Sequence, residues 1–350
     1  MNSIANAVAP ADRLGGAGAS AGITGFARPS PPLPVWAGGI VAGLVWLAAA
    51  GLTQWLPDDD DLGRTDLLAA AAAAIGLAIL ATVAALGRRP ARRESRIGQL
   101  RAAGPWLAVL PLALAAWELV TAKFSLLPRP FFVAPQTILE VFTDDWARLG
   151  ESVLHSLLLV VPGYLLGAAI GFLLGVAMGW SRFVGYWAHP VIRLIGPLPA
   201  TAWIPVAFFA FSTSRGASTF LIALASFFPV AVLTWSGVSA VSKSYYDVAR
   251  TMGASPWFLV RKVAVPAAMP SVFVGLFMGL GASFSVLVVA EMMGVRAGLG
   301  WYMQWAQGWA SYGNMYAALL VLAALCSSAV TLLFRLRDRL LSWQKGLVRW

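Results

Sequence analysis

Residues 245–270 read YYDVARTMGASPWFLVRKVAVPAAMP, the longest polar interruption in the apolar C-terminal half of the chain. The spacing predicts two short helices with a bend between them. Asp247 to Met252 makes about two helical turns. Gly253 follows, a residue that tolerates φ > 0 and so ends a helix. Ser255 and Pro256 read as a new start, with Ser as N-cap and Pro at the first helical position. Trp257, Phe258, Val260 and Val263 give the second helix its apolar residues, and Arg261 and Lys262 near its end suit the helix dipole. Pro266 is expected to stop it. A hairpin of this kind between two apolar segments is a surface for a soluble partner.

The flanking sequence is bilayer material. Of 350 residues, 59% are hydrophobic and 11% charged, where a soluble domain carries about 25% charged residues. Mean hydropathy is +0.75. The formal net charge of +10 then reads as Arg and Lys gathered on the cytoplasmic side, in preference to a nucleic-acid surface. The single Cys326 excludes an internal disulfide, and one Cys with two His is too few for a usual zinc site. No G-x-x-x-x-G-K-[ST] loop occurs, so the chain is not expected to hydrolyse ATP itself. Ser283 and His155 come without a base-orienting constellation. No catalytic residue, metal or cofactor is expected.

Eight spans are expected. Val35–Leu56 and Leu67–Leu86 flank the run Asp58 to Asp61, and Arg88, Arg89, Arg92, Arg93, Arg96 and Arg101 follow the second. That contrast places the Arg cluster inside and the Asp run outside. Pro105–Val120 is marginal in length. A long outside loop, 123–152, holds an expected helix Gln136–Trp146. Val153–Trp180, a kinked or partly interfacial His189–Phe211, Ala217–Val238, Ser271–Met293 and Tyr316–Phe334 complete the set. Lys243, Arg250, Arg261 and Lys262 put the hairpin inside. Arg335, Arg337, Arg339, Lys345 and Arg349 do the same for the C-terminus. Residues 1–32, rich in Ala, Gly, Ser and Pro, read as a disordered cytoplasmic tail.

The most regular signal is Gly163, Gly167, Gly171, Gly175 and Gly179, one every fourth residue. It leaves a groove along one helix face, into which another helix can pack backbone to backbone. Gly275 and Gly279 repeat the spacing. Two readings stand: packing within the subunit, or a seam close to a translocation path. Ionisable residues within spans are functional candidates by default. Glu118 lies in the third span, at or near its outer interface. Glu291 ends the seventh, as a structural hydrogen bond or a pathway group. Arg193 is an interface anchor, or a group that neutralises an anionic solute.

The hairpin also carries a resemblance. Asp247, Val248, Ala249, three residues, Gly253, nine residues, Val263, one residue, Val265 and Pro266 resemble the pattern E-A-A-x3-G-x9-I-x-L-P of permease subunits of binding-protein-dependent ABC importers. Asp replaces Glu, and Val replaces the first Ala, the Ile and the Leu. FSLLPRPFFVAPQTILEVF, residues 124–142, is similar to the entry region of sulfonate, taurine and nitrate permeases. Pro199, Ala202 and Pro205 match part of the family's R-x-x-P-x-x-A-x-x-P segment, and Gly298-Leu299-Gly300 resembles its G-L-G. The resemblance covers residues 105–350.

It implies an all-α membrane protein: a six-helix permease core with two extra N-terminal spans, and both termini cytoplasmic. The division is then 1–32 as tail, 33–104 as accessory helices with an Arg-rich linker, and 105–350 as permease domain with its coupling loop at 239–270. It implies a multi-pass protein of the bacterial inner membrane, a homodimer of this chain in lipid, two copies of an ABC ATPase and a periplasmic solute-binding protein, without nucleic acid. Asp247, Ala249, Gly253, Ser255, Pro256, Val263 and Pro266 would form the ATPase-coupling loop. The transported solute would be a small anion such as nitrate, taurine or a sulfonate. A passive channel or scaffold and an intramembrane enzyme are the alternatives, and neither needs an ATPase-facing hairpin.

Overall fold

The glycine row sets the architecture. A computed structural model describes residues 36–88 and 93–344, and their regular structure is helical. In chain order the helices are α1 (Ala37–Trp55), α2 (Thr65–Arg88), α3 (Arg93–Glu118), α4 (Pro135–Asp144), α5 (Trp146–Trp180), α6 (Arg182–Ile195), α7 (Ile204–Ala210), α8 (Ser214–Ser239), α9 (Lys243–Thr251), α10 (Pro256–Phe258), α11 (Val265–Gly294), α12 (Leu299–Gly308) and α13 (Tyr312–Leu340). The expected tail at 1–32 lies outside the described residues, as do Arg89, Arg92, Lys345 and Arg349.

All five row glycines of α5 face α8. A Cβ on Gly163, Gly171, Gly175 or Gly179 would come within 2.6–2.8 Å of Ile222, Phe227, Ala231 and Val238 respectively, and one on Gly167 would overlap the Ala223 carbonyl. The two sets of numbers rise together, so α5 and α8 run parallel. Gly275 and Gly279 of α11 press on α8 from another side, against Pro229 and Ser226. There the numbers run oppositely, so α11 is antiparallel to α8. The central helix α8 is thus held between two glycine stripes, where dispersion over a close backbone approach replaces the hydrophobic effect that lipid cannot supply.

Parallel neighbours need a return crossing between them. It comes from α6, the turn Ala200–Trp203 and α7, which together are bent by 89°. The break falls at Gly196-Pro197-Leu198-Pro199. Each proline lacks a backbone N–H and biases the residue before it away from helix. Among the described residues seven helices are long and apolar enough to cross a membrane, and the bent pair makes an eighth crossing.

Several boundaries differ from the sequence expectation, and the fourth span starts at Trp146 instead of Val153, inside the expected loop. The third span does not stop at Val120: a wide turn, Leu119–Lys123, extends α3 and gives a 20-residue segment, Gly104–Lys123. The fifth begins at Arg182 and bends, where a kinked His189–Phe211 was expected. The loop after the seventh contains α12. Pro266 does not stop the helix of the hairpin, which runs on from Pro256 to Gly294 as one 39-residue segment. The reason is the π turn Leu259–Ala264. It resets the hydrogen-bond register, so Pro266 falls in the first turn of α11, where the ring is tolerated.

The bundle has two ends. One, the hairpin end, holds α9, α10 and the last turns of α5 and α8. The other, the Asp end, holds the α1–α2 loop with Asp58 to Asp61, α4 and α12. The first three helices share their own core of Ala42, Trp46, Ala50, Ala72 and Ile79, with Leu107 and Leu114 of α3 against it.

Candidate functional site

At the hairpin end, α9 stops in the way its sequence dictates. Gly253 has φ +82°. Its N–H donates to the Arg250 carbonyl at 2.9 Å, and the Ala254 N–H donates to the Ala249 carbonyl at 3.1 Å. These two bonds make a Schellman turn, which satisfies carbonyls the helix end would leave open. Among the described residues nothing lies within 4 Å of a Cβ on Gly253, so glycine is required there by the backbone angle and not by space. Ser255 Oγ accepts from the Phe258 N–H at 3.3 Å, and Pro256 takes the first helical position. Asp247 and Arg250 pair at 3.6 Å on the surface. Val263 and Pro266 are half-buried one turn apart, behind the hairpin.

One side of the hairpin is anchored and the other is free. Tyr246 meets the Trp180 ring edge-on at 5.9 Å and packs with Val176, Val238, Ala264 and Ala268. Tyr245, Val248, Met252, Trp257 and Phe258 point outward, Met252 84% and Trp257 70% exposed. Large apolar side chains in this number, ringed by Lys243, Arg250, Arg261 and Lys262, mark a surface made to be covered.

A second feature lies in the bundle. A cleft of about 1080 Å³ runs between α6, the 196–201 connection, α8 and α11. Its walls are apolar apart from a few groups: His189 and Arg193, one turn apart on α6, with Thr201 and Ser285. Among the described residues no carboxylate lines it. His189 stacks edge-on against Trp235 at 5.0 Å. The α5 glycine row, Gly275 and Gly279 do not line this cleft; all seven are spent on α8.

Glu291 is not in the cleft either. It is fully buried, with Oε1 accepting from Ser156 Oγ at 2.7 Å and Oε2 from the Gly300 N–H at 2.7 Å. Ser156 Oγ in turn accepts from the Leu299 N–H at 2.9 Å. Gly298, at φ +103°, turns the chain over the carboxylate, where a Cβ would collide with it. Glu291 thus pins the Gly298-Leu299-Gly300 turn to α5, in keeping with the structural hydrogen bond that was one of its two readings. Ser156 was not visible as a partner in sequence, because a lone Ser in an apolar helix carries no signal.

Glu118 is also buried, and its partners come from α1 and α4. Thr53 Oγ1 donates to Oε2 at 2.7 Å, and Gln136 Nε2 donates to Oε1 at 2.7 Å. Lys123, at the start of the expected 123–152 loop, lies 3.6 Å from Oε1 and 2.8 Å from Asp58.

Comparison with known proteins decides the family. The model of the binding-protein-dependent transport system inner membrane component matches residues 167–343. The chain belongs to this family. The nitrate import permease protein NrtB of Synechococcus elongatus is 30% identical over 256 residues, 70% of this chain and 89% of that one. NrtB of Synechocystis is 28% identical over 272 residues, 75% of this chain and 96% of its own. The bicarbonate transport system permease protein CmpB of Synechococcus elongatus is 31% identical over 198 residues, 56% of this chain and 67% of that one. The protein is therefore a multi-pass ABC importer permease, similar to permeases named for nitrate and bicarbonate. The region matched by the family model takes in the C-terminal part of α5 from Gly167, the cleft, the hairpin and the Gly298-Leu299-Gly300 turn over Glu291, and leaves α1 to α4 outside.

Proposed function

We propose that this permease imports a small anion, delivered by a soluble binding protein at the Asp end and driven by ATPase subunits docked on the α9–α10 hairpin. The single observation that carries the reading is the exposed apolar face of the hairpin. It stands at the end where Lys243, Arg250, Arg261, Lys262, Arg335 and Arg337 gather, which the positive-inside rule makes cytoplasmic. Gly253 holds α9 at a fixed angle to a helix that continues without a stop from Pro256 to Gly294. A push on the hairpin is then carried along α11, one wall of the cleft, and switches access to it.

Two copies of the chain would enclose the path between facing clefts. Arg193 supplies positive charge there with no acid to cancel it, which favours an anion. The names of relatives, nitrate and bicarbonate permeases, support the same class. Residues 105–350 act as the permease domain, with 1–32 and 33–104 outside it.

The test is uptake of labelled nitrate, bicarbonate or taurine by vesicles holding the permease, its ATPase and its binding protein. ATP-dependent uptake of one of these, abolished by Trp257→Asp, is expected. Uptake that proceeds without ATP, or that ignores the hairpin substitution, would overturn the reading in favour of a channel.

A further inference from the structure

We propose that α1 and α2 form a module held on the permease core by a buried ionic latch centred on Lys123, and that this latch fixes the first core span and α4 in place at the Asp end. The proposal does not depend on the reading of the hairpin or the cleft.

The latch is built from three directions. From α1 come the end-of-helix carbonyls of Thr53 and Leu56, which the helix itself leaves open. Lys123 Nζ donates to them at 2.9 and 2.6 Å. A cation at a helix C-terminus also meets the negative end of the dipole. From the α1–α2 loop comes Asp58, whose carboxylate is 2.8 Å from Nζ. The Asp59 N–H adds a backbone bond to the Ala122 carbonyl at 2.9 Å. From the core comes Glu118, one turn before Lys123 and bridged to it. Glu118 accepts from Thr53 of the module and from Gln136 of α4, so a single carboxylate ties three helices. The Lys123 and Glu118 side chains are each 1% exposed.

Around this buried centre lies an exposed rim. Arg129 pairs with Asp59 and Asp60, and Arg64 of the module pairs with Asp144 at the end of α4, at 2.8 Å. The Asp run is thereby largely spent on the core's own cations. The two classes of pair should differ in weight. Exposed pairs are screened and contribute little, whereas removing one member of a buried pair strands the other. Apolar packing of Trp46 and Ala50 against α3 supplies adhesion, but the latch sets where α1 ends and hence where α4 sits.

A nicking experiment tests this on the full chain. A protease site is placed within residues 89–92, between the module and α3, in a C-terminally tagged chain. The assembled protein is extracted in mild detergent, cut and captured by its tag in high salt. The N-terminal fragment should remain with the wild-type core. It should be retained at least about tenfold less by Lys123→Met, and at near wild-type level by Arg64→Gln with Arg129→Gln. Thr53→Val, which removes one hydrogen bond, serves where Lys123→Met does not fold, with a severalfold loss expected. Release of the fragment from the nicked wild type, its equal retention by Lys123→Met and Thr53→Val, or its loss from the rim variant to the same extent, would each overturn the proposal.

Discussion

The Asp end and the hairpin end of this permease are made by opposite means. At the Asp end the central polar groups, inside the exposed rim, are buried and paired. Glu291 holds Ser156 and Gly300, the Tyr302 hydroxyl donates to Asp145 and accepts from Asn314, and Lys123 joins Glu118 to Asp58. At the hairpin end the ion pairs, Asp247 with Arg250 and Arg337 with Asp338, are exposed, and the large apolar side chains face outward. Removing a buried partner is costly, because the group left behind has neither water nor protein to bond. Removing an exposed side chain costs the fold little. The difference teaches where to look for each property: substitutions at the Asp end should read out as stability, and substitutions on the hairpin as coupling.

The largest effect should come from the spine that both ends share. Gly167→Val puts a side chain into the Ala223 carbonyl, which is backbone and cannot turn aside. Overpacking a core costs about 1–3 kcal/mol where side chains can yield, and more is expected here. Size-exclusion chromatography in detergent should show loss of the monodisperse species. At the Asp end, Glu291→Ala strands Ser156 and the Gly300 N–H and should cost about 3 kcal/mol, seen as a lower melting temperature. Glu291→Gln, which keeps an acceptor and the shape, should cost less than half of that.

The smaller effects belong to function. Gly253→Val meets no neighbour but strains a left-handed residue by about 1–2 kcal/mol. Melting of the bundle should be unchanged while ATP-driven uptake falls about tenfold, a loss of about 1.4 kcal/mol in coupling. Arg193→Gln should lower anion uptake about fivefold, for a loss of about 1 kcal/mol of attraction in a wet cleft, with basal ATPase activity unchanged. Asp247→Asn should not change stability measurably, since an exposed i, i+3 pair is worth at most about 0.5 kcal/mol. A large stability loss from Asp247→Asn, or none from Glu291→Ala, would erase the contrast between the ends.

What sequence made legible was whatever repeats or turns locally. The four-residue glycine period marks a close-packed face, and Gly253 with Ser255 and Pro256 marks a stop and a start. Both come from backbone requirements that one stretch of chain carries by itself. The direction of the glycine face was not legible, because it depends on α8, whose facing residues lie far along the chain, as Ile222 does from Gly163. The run of helix past Pro266 was hidden by a π turn, for which the sequence has no separate signature. The Lys123 latch was hidden for a similar reason: a Lys beside a span reads as an interface anchor, and Thr53, whose carbonyl it caps, lies 70 positions away. Glu291 stood out as a charge in an apolar segment, but its partner on α5 is 135 positions off, so its role could be framed only as alternatives.

The most direct measurement pairs capture with melting for one double variant, Met252→Asp with Trp257→Asp. Both side chains are exposed and touch the hairpin's outer face alone. The tagged permease is extracted in detergent, the co-purifying ATPase is quantified, and the melting temperature of the permease is recorded beside the wild type. The account predicts an unchanged melting temperature and at least a tenfold loss of bound ATPase. Full retention of the ATPase by a variant that melts like the wild type would contradict it, and the apolar face of the hairpin would then need another occupant.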